Sequence, residues 1–265
     1  MPAVSPASPA FDLAVLPTAP PPEADEDAAR ATADALREEL ATLQELLYAN
    51  RRHALLVVLQ GLDASGKDNT IKRVLRTLSP SGLAVHAFRM PEPQELAHDF
   101  LWRVHARVPA RGMIGVFNRS HYEAVVSDVV QGLCSETERQ QRLQSIRDFE
   151  RHLAASGTLV CKFFLHVGRE EQRRRLQARI SDPTKQWKLG PDDLEVRRRF
   201  PEYESLWSGT MAATDAVHAP WHVIPADRKG YRDLRVLTVL VDTLRALEMR
   251  YPVPARRLRP EDVPD

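Results

Sequence analysis

The sequence predicts an α/β domain in which a parallel sheet of five strands is covered by helices on both faces. Three observations predict it. Short runs rich in Val, Ile, Leu and Phe alternate with charged segments of helical periodicity. Those runs are continuously apolar, as strands buried on both faces are, rather than alternating apolar with polar. A glycine-bearing loop, "GLDASGKD" at residues 61–68, leaves the first run and enters a helical segment.

The elements follow in order. Seven of the 20 prolines fall within residues 1–22 among Ala and Ser, a composition that buries too little apolar surface to offset the cost of ordering. Residues 1–29 are therefore expected to form a disordered tail, with the folded domain over 30–265. The tail lacks the basic start of a signal peptide and the arginines of a transit peptide. Leu36, Leu40, Leu43 and Leu47 recur at helical spacing between charges, predicting an amphipathic helix over about 26–50. It packs on its own domain or, as the alternative, at a subunit interface.

"ALLVVLQ" (54–60) is the first strand, and a helix over about 67–78 follows the loop. "LAVHAF" (83–88) is the second strand, with one helix expected across residues 93–108. "MIGVF" (113–117) is the third strand, before a long helix over 136–155. "TLVCKFFLHV" (158–167) is the fourth strand, followed by the helix "REEQRRRLQARI" (169–180). "WHVIP" (221–225) is the fifth strand and residues 231–249 the last helix. Residues 181–209 interrupt the alternation with dense charge and two proline breaks, and are expected to form a lid.

Composition bounds the function. The chain has 265 residues, 43% hydrophobic and 28% charged, which suits one domain with a substantial core. No apolar run reaches the ~18 residues of a membrane span. Cys134 and Cys161 stand far apart, so no disulfide framework or cysteine zinc site is expected. Their sparse use fits a reducing, cytoplasmic setting. A histidine metal site is not expected either. Five acids and no Lys or Arg precede Arg30, so the rest of the chain is basic on balance. That balance suits a polyanionic partner.

The loop carries the chemistry. A glycine-rich turn between strand and helix lets backbone N–H groups at Gly61, Ala64, Ser65 and Gly66 surround a phosphate, with Lys67 reaching its oxygens. The common form of this motif places Ser or Thr after the lysine to hold Mg²⁺, and here Asp68 stands there. Asp63 lies within the cradle, an unfavourable position for a carboxylate unless a cation separates it from phosphate. It is the candidate metal ligand, and Asp68 either assists or complements the helix dipole.

The third strand ends in "FNRSHYE" (117–123), where many phosphate-loop enzymes place a metal-ordering Asp. Asn118 replaces it, which shifts the charge requirement to Asp63. Arg119 follows at the carboxyl edge of the sheet, where ligands of open α/β sheets bind, and can neutralise a transferring phosphoryl group. His121 and Tyr122 read first as packing residues. Glu123 is either surface or near an acceptor nucleotide. Arg175 and Arg179 share a helix face at i, i+4, and the basic run continues through Lys185 and Lys188. Such a run is most often a solvated face, but cations in line also suit a chain of phosphates.

Together, "LQGLDASGKDNTIKRVLRTLSPSGLAV", "HDFLWRVHARVPARGMIGVFNRSHYE", "FERHLAASGTLVCKFFLHV", "EEQRRRLQARISDPTKQWKL" and "APWHVIPADRKGYRDLRV" resemble the family-2 polyphosphate kinases, from about Leu36 to the last helix. The resemblance implies a three-layer, thymidylate-kinase-like phosphate-loop fold with a helical lid. It implies Mg²⁺-dependent phosphoryl transfer, with Mn²⁺ as a substitute, between inorganic polyphosphate and AMP, ADP or ATP in a homo-oligomer (dimer or tetramer). Gly61, Gly66 and Lys67 would hold phosphate, Asp63 would bind Mg²⁺, and Arg119 would contact the transferring group. Lys185 and Lys188 would face phosphate from the lid, and Arg175 and Arg179 would line the polyphosphate path. "FNRSHYE", against the "FDRSWYN" of many relatives, resembles the third subgroup, which phosphorylates both AMP and ADP; Asn118 and Glu123 are the departures. The alternatives are a kinase restricted to one acceptor, an ATP-dependent nucleoside monophosphate kinase, and a nucleic-acid-binding scaffold. The last is disfavoured because aromatics, the usual stacking platforms, are only 6% of the chain.

Overall fold

The computed structural model describes residues 11–188, 190–254, 259 and 262, with side chains left out at Lys188 and 191–193. Five strands, β1 (Ala54–Gln60), β2 (Leu83–Ala87), β3 (Ile114–Asn118), β4 (Thr158–His166) and β5 (Trp221–Pro225), form one sheet in the order β2-β3-β1-β4-β5. Every pairing is parallel. The five-stranded parallel α/β fold is the one expected, and the central strands are buried on both faces because helices cover each side.

Successive residues of β1 divide between two cores. Leu56 and Val58 join Phe117, Phe149, Phe164, Trp207 and Trp221 on one face. Leu55, Val57 and Leu59 join Leu40, Leu47, Leu237 and Leu244 on the other. The first core lies under α6 (Glu136–Ala155) and α9 (Phe200–Thr214); the second under α1 (Glu26–Asn50), α2 (Lys67–Val74) and α10 (Lys229–Arg245). α1 begins at an Asp25 cap whose carboxylate accepts from the N–H groups of Asp27 and Ala28. Leu40 and Leu47 are its fully buried leucines, whereas Leu36 and Leu43 are half-buried at the margin. α1 packs along α10 of its own domain, with Glu39 paired to Arg245.

Three expectations change. The helix expected over 93–108 is two single turns, α3 (Pro93–Leu96) and α4 (Trp102–His105). The Asp99 carboxylate accepts from the Leu101 N–H at 2.9 Å and redirects the chain between them. The region expected to be a lid, 181–209, contains α8 (Pro191–Arg198) and then, from Phe200, core structure. Phe200, Tyr203, Trp207 and Met211 lie on one helical face of α9 and are buried against the sheet. The tail also has structure where it is described: Leu13 is 2% exposed within the first core, and Phe11 and Leu16 pack beside it. The apolar residues "FDLAVL" supply what the proline-rich composition lacks. Residues 1–10 lie outside the described residues.

The register aligns Leu59 with Asn118 and His166 with Pro225, so the carboxyl ends of the strands open onto one edge. No helix among the described residues is long and apolar enough to cross a membrane.

Candidate active site

The phosphate loop leaves β1 at Gly61, whose φ of +142° is a conformation glycine tolerates. A Cβ there would lie 2.7 Å from the Leu165 carbonyl oxygen. Gly66, with φ +109°, caps α2, and a Cβ there would approach Arg232 Nη1 to 2.1 Å. Gly61 is required by space as well as by dihedral, and Gly66 by its dihedral and by the Arg232 side chain packed against it. Ala64, with φ +61°, holds the left-handed conformation without that freedom, a strain that the surrounding contacts must impose.

Those contacts come largely from α7 (Arg169–Ile180). Arg175 Nη1 donates to the carbonyls of Ala64 and Ser65, both at 3.0 Å. Its Nη2 donates to the carbonyls of Ala226 at 2.6 Å and Asp227 at 3.0 Å, and its Nε to Glu171 at 2.7 Å. Gln172 adds a bond to the Asp63 carbonyl at 3.0 Å. Arg175, expected along a polyphosphate path, thus joins the loop at 64–65 to the connection at 226–227 through its guanidinium. Arg179, one turn on, is half-buried. Lys185 pairs with Asp182 on the surface, and the Lys188 side chain lies outside the described residues.

Lys67 turns back over the loop, its ammonium donating to the carbonyls of Gly61 at 2.6 Å and Leu62 at 3.3 Å. Burial pushes its pKa down to about 8, Arg119 adds repulsion, and Asp63, Glu123 and Asp68 oppose the shift. A phosphate could exchange for these carbonyls as acceptor of the same ammonium.

Arg119 faces the loop from the end of β3. Its Nη2 lies 2.5 Å from Asp63 Oδ1, and its Nη1 lies 3.2 Å from Glu123 Oε2. Its φ is +61°, uncommon for a residue with a Cβ. The neighbours hold that geometry. The Arg119 N–H donates to the Leu59 carbonyl at 3.0 Å, and Ser120 caps the following turn by accepting from the Tyr122 N–H. With its amide turned so that both ends find partners, buried Gln60 donates to Glu123 and accepts from Ser120. Ser127 donates to Glu123 at 2.5 Å, so this carboxylate orients Arg119 rather than lying free at the surface. Asn118 donates to Asp68 at 2.7 Å, joining the end of β3 to the start of α2. The structure thus gathers Asp63, Lys67, Asp68, Asn118, Arg119 and Glu123 at one sheet edge.

His121 and Tyr122 pack, as expected, in a fully buried network. Glu150 on α6 accepts from the Tyr122 hydroxyl at 2.7 Å and lies 3.3 Å from His121 Nε2. The Lys162 ammonium donates to Glu150 at 2.6 Å, to Tyr122 at 2.9 Å and to the Thr214 carbonyl at 2.8 Å. Burial pushes the Glu150 carboxyl up, but Lys162 and His121 outweigh it and hold the group below its ordinary value. This pair was missed in the sequence, although a lysine inside "TLVCKFFLHV" signals a buried partner.

Beyond Arg119 a cavity of about 460 Å³ opens, within the usual size of small-molecule sites. Asp63, Arg119 and Glu123 lie at its wall with Phe88, Arg103 and Tyr203. The Tyr203 hydroxyl is pushed up to about 12 by burial and by the Glu123 and Asp63 carboxylates. Burial, and then the charges of Arg175, Arg232 and Arg174, lower the pKa of Lys229, which stands within reach of these arginines. The cavity wall was not legible as such in the sequence.

The family model described as polyphosphate kinase 2 matches residues 23–252. The chain belongs to the polyphosphate kinase 2 family. It is 48% identical over 219 residues to the AMP/ADP-polyphosphate phosphotransferase of Meiothermus ruber, covering 83% of this chain and 82% of that one. It is 42% identical over 234 residues to the ADP-polyphosphate phosphotransferase of Rhodopseudomonas palustris, with 83% and 81% covered. The polyphosphate kinase 2 structure from Arthrobacter aurescens superposes with a TM-score of 0.92 at 35% identity, covering 96% of this chain and 92% of that one. The chain is accordingly a phosphotransferase of this family.

Proposed function

We infer that the chain transfers phosphoryl groups from inorganic polyphosphate to AMP and ADP. The observation that carries this reading is Arg119, paired with Asp63 of the phosphate loop, at the wall of a nucleotide-sized cavity, with Lys67 turned back over the same loop. The M. ruber relative's name supports both acceptors, and Asn118 and Glu123 stand in the segment that resembles the dual-acceptor subgroup.

Among the described residues no three His, Cys, Asp or Glu side chains converge on a metal cage. That suits Mg²⁺, which binds through one or two carboxylates with substrate phosphates and water completing its shell. Asp63 is the ligand we assign, with Asp68 in the first turn of α2 as a second carboxylate at the same sheet edge; the metal, when bound, would neutralise charge on the phosphates. The chain's own residues do the rest. Backbone N–H groups of 61–66 and the Lys67 ammonium hold the donor end, with the cluster around Lys229 facing the chain of phosphates. Arg119, released from Asp63 toward the substrate, places its charge on the transferring group. The segment between α7 and α9 closes as a lid and excludes water that would hydrolyse the donor. No general base is needed, because a nucleotide phosphate oxygen is already an anionic nucleophile.

The test supplies Mg²⁺, polyphosphate and AMP and separates the products. ATP accumulating through ADP is expected. A reaction that stops at ADP, or that uses ADP alone, would sink the dual-acceptor reading.

A further inference from the structure

Residues 11–22 lie outside the family match, which begins at residue 23, yet they are joined to the floor of the phosphate loop. Leu13 anchors one end: its side chain is buried in the first core and its N–H donates to Ser208 Oγ at 3.2 Å. Five residues on, Thr18 grips Asp227 twice. The Thr18 hydroxyl donates to Asp227 Oδ2 at 2.7 Å, and the Thr18 carbonyl accepts from the Asp227 N–H at 2.9 Å. The other carboxylate oxygen of Asp227 accepts from the Gly168 N–H at 2.8 Å, at the start of α7.

Asp227 is therefore fixed from both sides in the connection between β5 and α10. Its carbonyl and that of Ala226 accept from Arg175 Nη2, and the same guanidinium holds Ala64 and Ser65 through Nη1. The links run from Thr18 through Asp227 and Arg175 to the left-handed Ala64 of the loop. Thr18 also packs closely on Gly168, where a Cβ would lie 2.9 Å from its hydroxyl.

The geometry points to residues 11–18 as a strap that positions the donor side of the phosphate loop, with Thr18 and Asp227 as positioning residues for polyphosphate. Among the described residues that line the nucleotide cavity none belongs to the strap, so its effect is expected on the donor rather than on the acceptor. A hydrogen bond to a carboxylate, lost with the carboxylate left behind, commonly changes an equilibrium several-fold. Thr18→Val keeps the shape of the side chain and removes that bond alone.

The expected result is a threefold to tenfold rise, roughly, in KM for polyphosphate, with KM for AMP and kcat within about twofold of the parent. Thr18→Ser should restore the parent values. Calorimetric titration of the full chain with tripolyphosphate should show the same loss of affinity and the same rescue. An unchanged polyphosphate KM and tripolyphosphate affinity in Thr18→Val would overturn the proposal. So would equal rises in both KM values accompanied by a fall in Tm, the signature of a general loss of fold. The inference rests on polyphosphate as donor. Failure of the parent to use polyphosphate would refute that reading by itself, while the tripolyphosphate titration still judges the strap.

Discussion

Arg175 separates a bracket from a ligand, and Arg175→Lys is the informative change. The guanidinium is 10% exposed and makes five hydrogen bonds, four to main-chain carbonyls and one to Glu171. Bonds from a charged donor contribute about 1.5–3 kcal/mol each, though not additively. A lysine ammonium presents its donors from one atom and cannot span the loop at 64–65 and the connection at 226–227 together. Losing two of the carbonyl contacts gives about 3 kcal/mol. At roughly 2–4 °C per kcal/mol for a domain of this size, Tm should fall by about 6–12 °C. Thermal unfolding without substrate measures this, and a polyphosphate titration on the same samples reports the loop. A parental Tm with weakened polyphosphate binding would refute the bracket and return Arg175 to the donor path.

The remaining predictions concern charge. Lys67, with its pKa lowered to about 8, is the ammonium below that pH and loses its proton above it, so kcat/KM for polyphosphate should fall about tenfold per unit at higher pH. A profile flat to about pH 9.5 would exclude this assignment. Asp63→Asn should lower turnover on the order of a hundredfold and raise the Mg²⁺ concentration needed for half-activity. Near-parental rates at saturating Mg²⁺ would remove Asp63 as the ligand. Glu150→Gln strands the buried Lys162 charge and should cost about 3–5 kcal/mol in denaturant unfolding. Because the folded carboxyl is held low, its stabilisation is complete above the unfolded pKa of about 4.3 and is lost as pH falls through the folded value. The gap between parent and variant should narrow in that acidic window, and a constant gap would contradict the ion pair.

What could be read from the sequence was whatever local pattern determines. β1, β5 and α6 have the bounds that their apolar runs and helical periodicity indicated, because strands buried on both faces need continuous apolar residues. The phosphate loop was legible because its glycines satisfy backbone requirements that few other residues meet. The rest depends on tertiary approach. Arg175 sits in a basic run that could equally face solvent, and only the arrival of residues 64–65 and 226–227 makes it a bracket. Glu123 could be read as surface or as near an acceptor nucleotide, and only the convergence of Gln60, Arg119 and Ser127 shows that it orients Arg119. The boundary at Phe200 was obscured by charges between the buried positions of α9. The strap was hidden by the proline-rich stretches on either side of it, although Leu13 and Thr18 make its decisive contacts.

The proposed function requires that one site, built by residues 61–68 and Arg119, pass phosphoryl groups directly between polyphosphate and nucleotide. The most direct measurement offers AMP with Mg²⁺ and a single donor, either ³²P-labelled polyphosphate or γ-labelled ATP, in separate reactions. Label should move from polyphosphate into ADP and then ATP, and Lys67→Met should abolish the transfer while leaving Tm near that of the parent. Efficient labelling of ADP from ATP, with polyphosphate inert, would contradict the account.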